Sequence, residues 1–121
     1  MELSGCPQEV LGDIACIEKT LRAAAVAAHT TILDLTCHRF SPTGVSGVAV
    51  VAESHISIHT WPETGYAAVD IYTCGKHVDP REGCICISKL LRAEQVCCTA
   101  WERGLPETGG RYVHRQIGFE L

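Results

Sequence analysis

A polar segment in the middle of the sequence holds residues that can act as a nucleophile and as a base. The aliphatic run 48–52 leads into Glu53-Ser54, after which histidine and serine alternate with isoleucine over residues 55–59. A serine hydroxyl can attack the carbonyl carbon of the preceding residue and turn the amide into an ester, which is easier to break. A base that removes the serine α-proton then eliminates the preceding chain as a carboxylate, and the remaining dehydroalanine loses ammonia to become a pyruvoyl group. Ser54 can therefore be the precursor of a carbonyl cofactor that the chain makes itself, or an ordinary strand residue hydrogen-bonded to its neighbours.

A pyruvoyl group needs a proton donor beside it. The group forms a Schiff base with a substrate amine and draws electrons as a carboxylate leaves, much as pyridoxal phosphate does. The carbanion that results must be protonated, and a thiol with an ordinary pKa of about 8.5 keeps its proton at neutral pH. A cysteine close to the serine would therefore complete a decarboxylase site.

The register of two neighbouring strands predicts which cysteine this is. Pairing Thr60 with Ala67 across the loop 61–66 matches the apolar residues of the two runs on one face of a sheet. In the same register Cys74 falls opposite Glu53, although the two residues are far apart in sequence. The thiol of Cys74 is therefore expected beside the Glu53-Ser54 peptide bond.

The histidine-bearing run does not fit one uninterrupted strand. Ser54 and His59 are an odd number of residues apart, so regular alternation sends their side chains to opposite faces of a sheet. A bulge or a cleavage of the chain near Ser54 would account for this. We therefore expect a regular strand to start after the Glu53-Ser54 bond rather than to run through it.

Two amphipathic helices and several short strands are expected to position these residues. Apolar residues recur at helical spacing from Val10 to Ala25, and the sequence at 79–82 is typical of the start of a helix that runs to about Ala93. Because the strands between them are joined by short connections, we predict an α+β fold, a two-layer sandwich of an antiparallel sheet with both main helices on one face. We treat 1–121 as a single domain and assign no element to the tail 104–121. The predicted strands are Thr31–Leu35, Val45–Ala52, 54–60, 67–74 and Gln95–Trp101.

Composition excludes several classes of partner. The chain has 121 residues, a net charge of −4 and a pI near 5.8, so a nucleic-acid or anionic-membrane surface is not expected. No apolar run reaches the length of a membrane span and no signal peptide is recognisable, which predicts a cytoplasmic protein with eight reduced cysteines. The spacings of Cys84-Ile85-Cys86 and Cys97-Cys98 differ from those of structural zinc sites, so no metal site is expected.

Four segments of the sequence carry a resemblance to a known family: His38–Pro42, Gly44–Gly47, Glu53–Glu63 and Gly65–Gly75. They resemble the short prokaryotic S-adenosylmethionine decarboxylases, a pyruvoyl-dependent family. The resemblance spans about residues 5 to 101 and is most specific around Glu53-Ser54. It implies self-cleavage between these two residues into a β chain, 1–53, and an α chain, 54–121, with Ser54 as the precursor of the pyruvoyl group.

The resemblance also implies roles for individual residues, an assembly and a product. The implied homodimer of processed protomers has residues from both protomers at each site. The product would be decarboxylated S-adenosylmethionine, the aminopropyl donor for spermidine synthesis. The implied roles are processing for His59 and Ser46, proton donation for Cys74, stacking on the adenine for Phe40 and binding of the ribose hydroxyls for Glu63.

The sequence departs from the family at some positions and leaves two alternatives open. Only Glu2–Ser4 remains of a first strand, and Gly83-Cys84 stands where a better helix former is typical, since glycine in a helix costs about 1 kcal/mol relative to alanine. One alternative keeps the pyruvoyl mechanism and changes the substrate to arginine or ornithine. The other is a chain that folds without cleaving itself and serves as a partner subunit or a thiol-rich metal binder.

Overall fold

The computed structural model describes all of residues 1–121 and contains a six-stranded sheet, three helices and a separate hairpin. None of the helices is long and apolar enough to cross a membrane. The strands of the sheet follow the order β2-β3-β4-β5-β1-β6, and every neighbouring pair is antiparallel. The helices are α1 (Gln8–Leu11), α2 (Ile14–Ala27) and α3 (Pro80–Leu90). The strands of the sheet are β1 (Glu2–Ser4), β2 (Thr31–Arg39), β3 (Val45–Ala52), β4 (Ser54–Trp61), β5 (Tyr66–Tyr72) and β6 (Gln95–Cys97).

Burial of apolar side chains between the helices and one face of the sheet produces two layers. The helix α2 contacts α3 and also strands β2, β3 and β4. Its side chains at helical spacing meet the inward-facing residues of the strands, and this burial supplies most of the stabilising free energy. The predicted α+β sandwich is confirmed. The core includes Ile17, Leu21, Ala24, Val45, Ala49, Val51, Ile56, Ile58, Val69 and Ile87.

The first helical region is two helices rather than one, so the continuous helix predicted from Val10 to Ala25 is wrong. Helix α1 ends at Leu11, and Asp13 then caps α2 by accepting a hydrogen bond from the Ala15 amide at 3.0 Å. The capping aspartate adopts an extended backbone that a helix interior does not allow. The helical spacing of apolar residues continues through this break because the apolar side chains of both helices pack against the same core.

The predicted start of α3 is confirmed. The Asp79 carboxylate accepts a hydrogen bond from the Arg81 amide at 2.9 Å, and Pro80 occupies the first turn. Proline fits there because the first amides of a helix have no partner within the helix. The helix ends at Leu90, slightly before the predicted end at Ala93.

The register predicted for β4 and β5 is confirmed. Thr60 pairs with Ala67, and the ladder continues to the pair His55 and Tyr72. Strand β5 then ends, so the predicted strand 67–74 is two residues too long at that end. Strand β2 is longer than predicted and reaches Arg39 with a shift of register between Ile32 and Asp34.

The short N-terminal segment Glu2–Ser4, which the sequence analysis treated as the curtailed first strand, forms a strand of three residues. Strand β1 lies between β5 and β6, with Leu3 fully buried. The N-terminal amine of Met1 donates a hydrogen bond to the Val69 carbonyl at 2.7 Å. Strand β1 is thus an interior strand of the sheet, paired on both sides.

The C-terminal residues form a hairpin apart from the main sheet, which corrects two expectations. Strands β7 (Ala100–Glu107) and β8 (Arg111–Ile117) pair with each other only, so the tail 104–121 has regular structure. The predicted strand Gln95–Trp101 is divided between β6 and β7 because the chain leaves the sheet after Cys97. We call residues 100–117 the C-terminal hairpin.

Candidate active site

The Glu53-Ser54 bond lies at the tip of the hairpin formed by β3 and β4. Strand β3 ends at Ala52 and β4 begins at Ser54, with the exposed Glu53 between them. The Thr30 hydroxyl donates a hydrogen bond to the Ala52 carbonyl at 2.6 Å, and Ser54 pairs with Val51. The expected start of a regular strand after this bond is confirmed. The sheet therefore holds the residues on both sides while the bond itself stays accessible.

Side chains on the two sides of β4 face different surroundings. Ile56, Ile58 and Thr60 are buried against the helices. The intervening residues of β4, with their partners on β3 and β5, lie on the face of the sheet that no helix covers, which we call the open face. Ser54 and His59 belong to opposite faces of the sheet, as their odd spacing in the sequence predicts. Ser54 pairs with the buried Val51, whereas His59 lies on the open face. The open face includes Ser46, Val48, Val50, His55, Ser57, His59, Ala68, Asp70 and Tyr72.

Ser46 and His59 form a hydrogen-bonded pair on the open face. They are directly opposed on β3 and β4, and Ser46 Oγ lies 2.7 Å from His59 Nδ1. Such contact can orient an imidazole for proton transfer. Ser54, however, is five residues away along the same strand, which corresponds to roughly 17 Å. The structure brings Ser46 and His59 together but does not bring either to Ser54 within one chain.

The imidazole in contact with Ser54 is that of His55, a residue to which the sequence analysis gave no role. Ser54 Oγ lies 3.5 Å from His55 Nδ1, a long contact. The ring of His55 also packs near the Tyr72 ring, with centroids 5.8 Å apart. The immediate adjacency of the two residues in the sequence was the signal that could have identified it.

Cys74 borders two cavities at the end of β5. The larger cavity has a volume of about 820 Å³ and is closed on one side by the C-terminal hairpin. The smaller one has a volume of about 220 Å³ and also borders Glu53. The ladder ends before Cys74, so the predicted pairing opposite Glu53 is replaced by a shared cavity. The thiol is nevertheless at the same end of the sheet as the Glu53-Ser54 bond.

Two other thiols line the larger cavity and differ from Cys74 in burial. Burial raises the pKa of Cys84 to about 12, and the neighbouring Cys98 contributes to this. Burial likewise raises the pKa of Cys98. Desolvation disfavours a thiolate, so these two groups stay protonated and unreactive near neutral pH. Cys74 is the exposed thiol of this cavity.

Two cation–π contacts lie near the larger cavity, one made by the C-terminal hairpin and one by Phe119, which follows it. The guanidinium of Arg103 lies 4.7 Å from the centre of the Tyr72 ring, and that of Arg81 lies 5.3 Å from the Phe119 ring. Arg103 also lines the larger cavity with Cys74. These contacts place a cation from the hairpin at the mouth of the cavity.

Phe40 and Glu63 lie at the opposite end of the sheet from Cys74. Phe40 follows β2, is 49% exposed and contacts the His38 ring edge-on, with centroids 4.7 Å apart. Glu63 is exposed in the short turn between β4 and β5. Both are near the end of β4 that carries His59. The predicted site residues therefore form two groups, one at each end of the strand.

These features define an α+β protein with a serine at an accessible hairpin tip and an exposed thiol at the same end of the sheet. Residues 1–104 match the family model described as S-adenosylmethionine decarboxylase. The chain belongs to this family.

Curated relatives and a solved structure agree with this assignment. The chain is 49% identical over 106 residues to an S-adenosylmethionine decarboxylase proenzyme of Caldicellulosiruptor saccharolyticus, covering 88% of this chain and 86% of the relative. It is 49% identical over 107 residues to the proenzyme of Methanococcus maripaludis strain C7, covering 88% of each chain. A crystal structure of the adenosylmethionine decarboxylase from Aquifex aeolicus VF5 superposes with a TM-score of 0.72 at 35% identity, over 78% of each chain.

Proposed function

We propose that this chain is a proenzyme that cleaves itself between Glu53 and Ser54 and then decarboxylates S-adenosylmethionine. The single observation that carries the proposal is the position of the bond at an exposed hairpin tip that shares a cavity with Cys74. Membership of the decarboxylase family supports the same activity. The products are decarboxylated S-adenosylmethionine and carbon dioxide.

Self-cleavage uses groups that the chain itself supplies. The Ser54 hydroxyl attacks the Glu53 carbonyl carbon, and the amide becomes an ester with a free amine on Ser54. A base removes the Ser54 α-proton, the Cβ–Oγ bond breaks, and Glu53 leaves as a carboxylate. The resulting dehydroalanine becomes an imine, and water hydrolyses this imine with release of ammonia. A pyruvoyl group then stands at the start of chain 54–121.

The residues around the new terminus suit a decarboxylase. The pyruvoyl group supplies a carbonyl that binds the substrate amine and accepts electrons as the carboxylate leaves. Cys74 borders both cavities at this end of the sheet, and we assign to its thiol the donation of the proton that the product requires. The buried state of Cys84 leaves Cys74 as the accessible donor.

The nucleoside part of the substrate is assigned to Phe40 and Glu63. An exposed aromatic ring can stack on adenine, and a carboxylate can accept hydrogen bonds from both ribose hydroxyls. Neither arginine nor ornithine offers a ring or a diol to these groups. This pair therefore favours S-adenosylmethionine over the amino-acid substrates.

A complete site requires two copies of the chain. Ser46, His59, Phe40 and Glu63 are too far from Ser54 to act on it within one chain, since β4 separates them by roughly 17 Å. The open face carries exposed apolar side chains at Val50, Trp61 and Tyr72, which suits contact with a second copy. An antiparallel copy on this face brings the partner's His59 to the end of the sheet that carries the Glu53-Ser54 bond.

Intact-mass spectrometry of the purified chain tests the proposal. We expect two fragments, 1–53 and 54–121, with a pyruvoyl group blocking the larger one. The S54A chain is the matched control and should stay whole. Release of labelled carbon dioxide from S-adenosylmethionine, compared with arginine and ornithine, then identifies the substrate. A wild-type chain that stays whole and inactive after prolonged incubation would contradict the proposal and favour a partner subunit.

A further inference from the structure

A small cavity beside the Glu53-Ser54 bond is lined by two histidines that the proposed function leaves without a role. The cavity of about 220 Å³ borders Ala52 and Glu53, on the side of the bond that becomes the leaving group. We propose that His29 and His77 form a binding site for the carboxylate that self-cleavage creates at Glu53. This inference rests on the proposed function, because an uncut chain has no such carboxylate.

The leaving group of the cleavage is an anion that forms at this cavity. Once the ester exists, Ser54 Oγ is bonded to the Glu53 carbonyl carbon. Loss of the Ser54 α-proton to a base breaks the Cβ–Oγ bond, and the electron pair leaves with the oxygen. Glu53 then carries a main-chain carboxylate in addition to its side-chain carboxylate. Two like charges at one residue disfavour the ionised product unless cations are near.

The two imidazoles are the only groups lining this cavity that can become cations. No lysine or arginine is among the lining residues, and its other titratable groups are Glu53 and Cys74. Lys76 lies on the same connection as His77 but outside the lining. The only imidazoles that hydrogen-bond to another side chain are those of His55 and His59. Both cavity histidines are therefore free to donate to a carboxylate, and charge-assisted hydrogen bonds of this kind are the strong ones.

The backbone holds the two histidines on the same side of the bond. The Asp79 amide donates a hydrogen bond to the Ala28 carbonyl at 3.1 Å, which ties the connection that carries His77 to the end of α2. The ring of His77 packs over Gly75, where a Cβ atom would lie 3.2 Å from His77 Cε1. The two imidazoles thus come from segments that are fixed to each other.

His29 stands where glycine would be less strained. It follows α2 with a φ of 57°, a left-handed conformation that helices most often give to glycine just past their C-terminus. The dipole of α2 favours a cation at this end. A histidine in this conformation, beside the bond that is cut, points to a use for the imidazole.

Processing of H29G, H77Q and the double variant tests the inference. We expect the double variant to form the pyruvoyl group about tenfold more slowly. This loss is smaller than the roughly 100- to 1000-fold loss in rate caused by removing an oxyanion-hole donor, because both histidines are exposed. Hydroxylamine added during processing intercepts the ester and releases fragment 1–53 as a hydroxamate, with Ser54 intact on the other fragment. Because elimination is slowed and ester formation is not, the double variant should yield a larger share of hydroxamate than wild type.

Three controls separate this role from a structural one. H29G relieves the strained backbone, so its melting temperature should be at least that of wild type while its processing is slower. H77K places an ammonium group at this position and should recover most of the rate that H77Q loses. K76Q removes a cation outside the lining and should process as wild type does. A double variant with wild-type rate and hydroxamate share would overturn the inference, whereas a wild-type chain that never cleaves would overturn the proposed function as well.

Discussion

Cys74 and Cys98 line the same cavity, yet their surroundings differ in a way that matters for proton transfer. Cys98 is half-buried, and burial raises its pKa, whereas Cys74 is exposed at the end of β5. A proton donor must reach the substrate and must recover its proton from solvent after each turnover. Exposure and position therefore single out Cys74 among the thiols of this cavity.

Replacement of Cys74 should separate processing from decarboxylation. We expect C74A to cleave normally, because its thiol is not needed for the acyl shift, and to lose about 100-fold in kcat, within the usual range for a general acid. C98A is the matched control, since it removes a thiol from the same cavity and should retain activity. Processing is followed by intact mass and decarboxylation by release of labelled carbon dioxide. An equal loss of activity in C98A would contradict the assignment.

Individual residues were predictable from the sequence where their partners were close in the chain or in the register. Ser54 directly follows Glu53, the residue that we propose it attacks, and the pairing of β4 with β5 placed Cys74 near Glu53. His29 and His77 could not be found in this way. They belong to a helix end and to a connection, where no periodic pattern links one to the other.

At the scale of elements, a buried hydroxyl joins three of them. Thr60 on β4 is 6% exposed, and its hydroxyl accepts a hydrogen bond from the Val45 amide at 2.8 Å. It also lies 2.9 Å from the Leu11 carbonyl, to which it donates. The contact fixes the end of β4 that carries His59 against β3 and α1.

Removal of this hydroxyl should destabilise the fold at nearly constant volume. We expect T60V to lower the free energy of unfolding by about 1–3 kcal/mol, since the buried Val45 amide loses its acceptor. T64V is the matched control, because Thr64 is exposed, and its loss should be within about 0.5 kcal/mol. Urea denaturation of the uncleavable S54A background measures both. A T60V chain as stable as its control would contradict the role of the hydroxyl.

The packing around α3 accounts for the glycine at position 83. A Cβ atom there would lie 3.0 Å from Ile71 Cδ1 and 3.4 Å from Ala28 Cβ. The departure from a good helix former thus permits α3 to approach both the C-terminal end of α2 and strand β5 closely. The packing, rather than helix propensity, decides the residue at this position.

A large side chain at Gly83 should therefore be costly. We expect G83L to lower the free energy of unfolding by about 1–3 kcal/mol or more through overpacking, despite the better helix propensity of leucine. E82L, at the exposed neighbouring position, should change stability by less than about 0.5 kcal/mol. Denaturation in the S54A background compares the two. A G83L chain that gains stability would show that the helices can separate to accommodate it.

Helices and strands were predictable where the spacing of apolar residues differed between one element and the next, and not elsewhere. The break at Asp13 was not predicted because the apolar residues of α1 and α2 follow one helical spacing and pack against the same core. Residues 100–117 lack a buried face, since nearly all of them are exposed, so the C-terminal hairpin leaves no alternating pattern to detect.

At the scale of the whole molecule, the residues of the proposed site lie at the two ends of the sheet. Ser54 and Cys74 lie at one end, and the hydrogen-bonded pair Ser46 and His59 lies toward the other. The sequence analysis expected residues from two protomers at each site because of the family resemblance. The separation of roughly 17 Å along β4 supplies an independent physical reason for that arrangement.

Complementation between two inactive chains tests whether the site is shared. S54A cannot form the ester, and H59A lacks the base that we assign to processing, so each chain expressed alone should stay whole. In a mixed dimer the intact Ser54 of the H59A chain meets the partner's His59 from the S54A chain. With equal expression and random pairing, about half of the H59A chains should be cut and no S54A chain should be. Distinct tags on the two chains let intact mass assign the fragments. An H59A chain that stays whole in the mixture, although mixed dimers are present, would show that His59 acts only within its own chain.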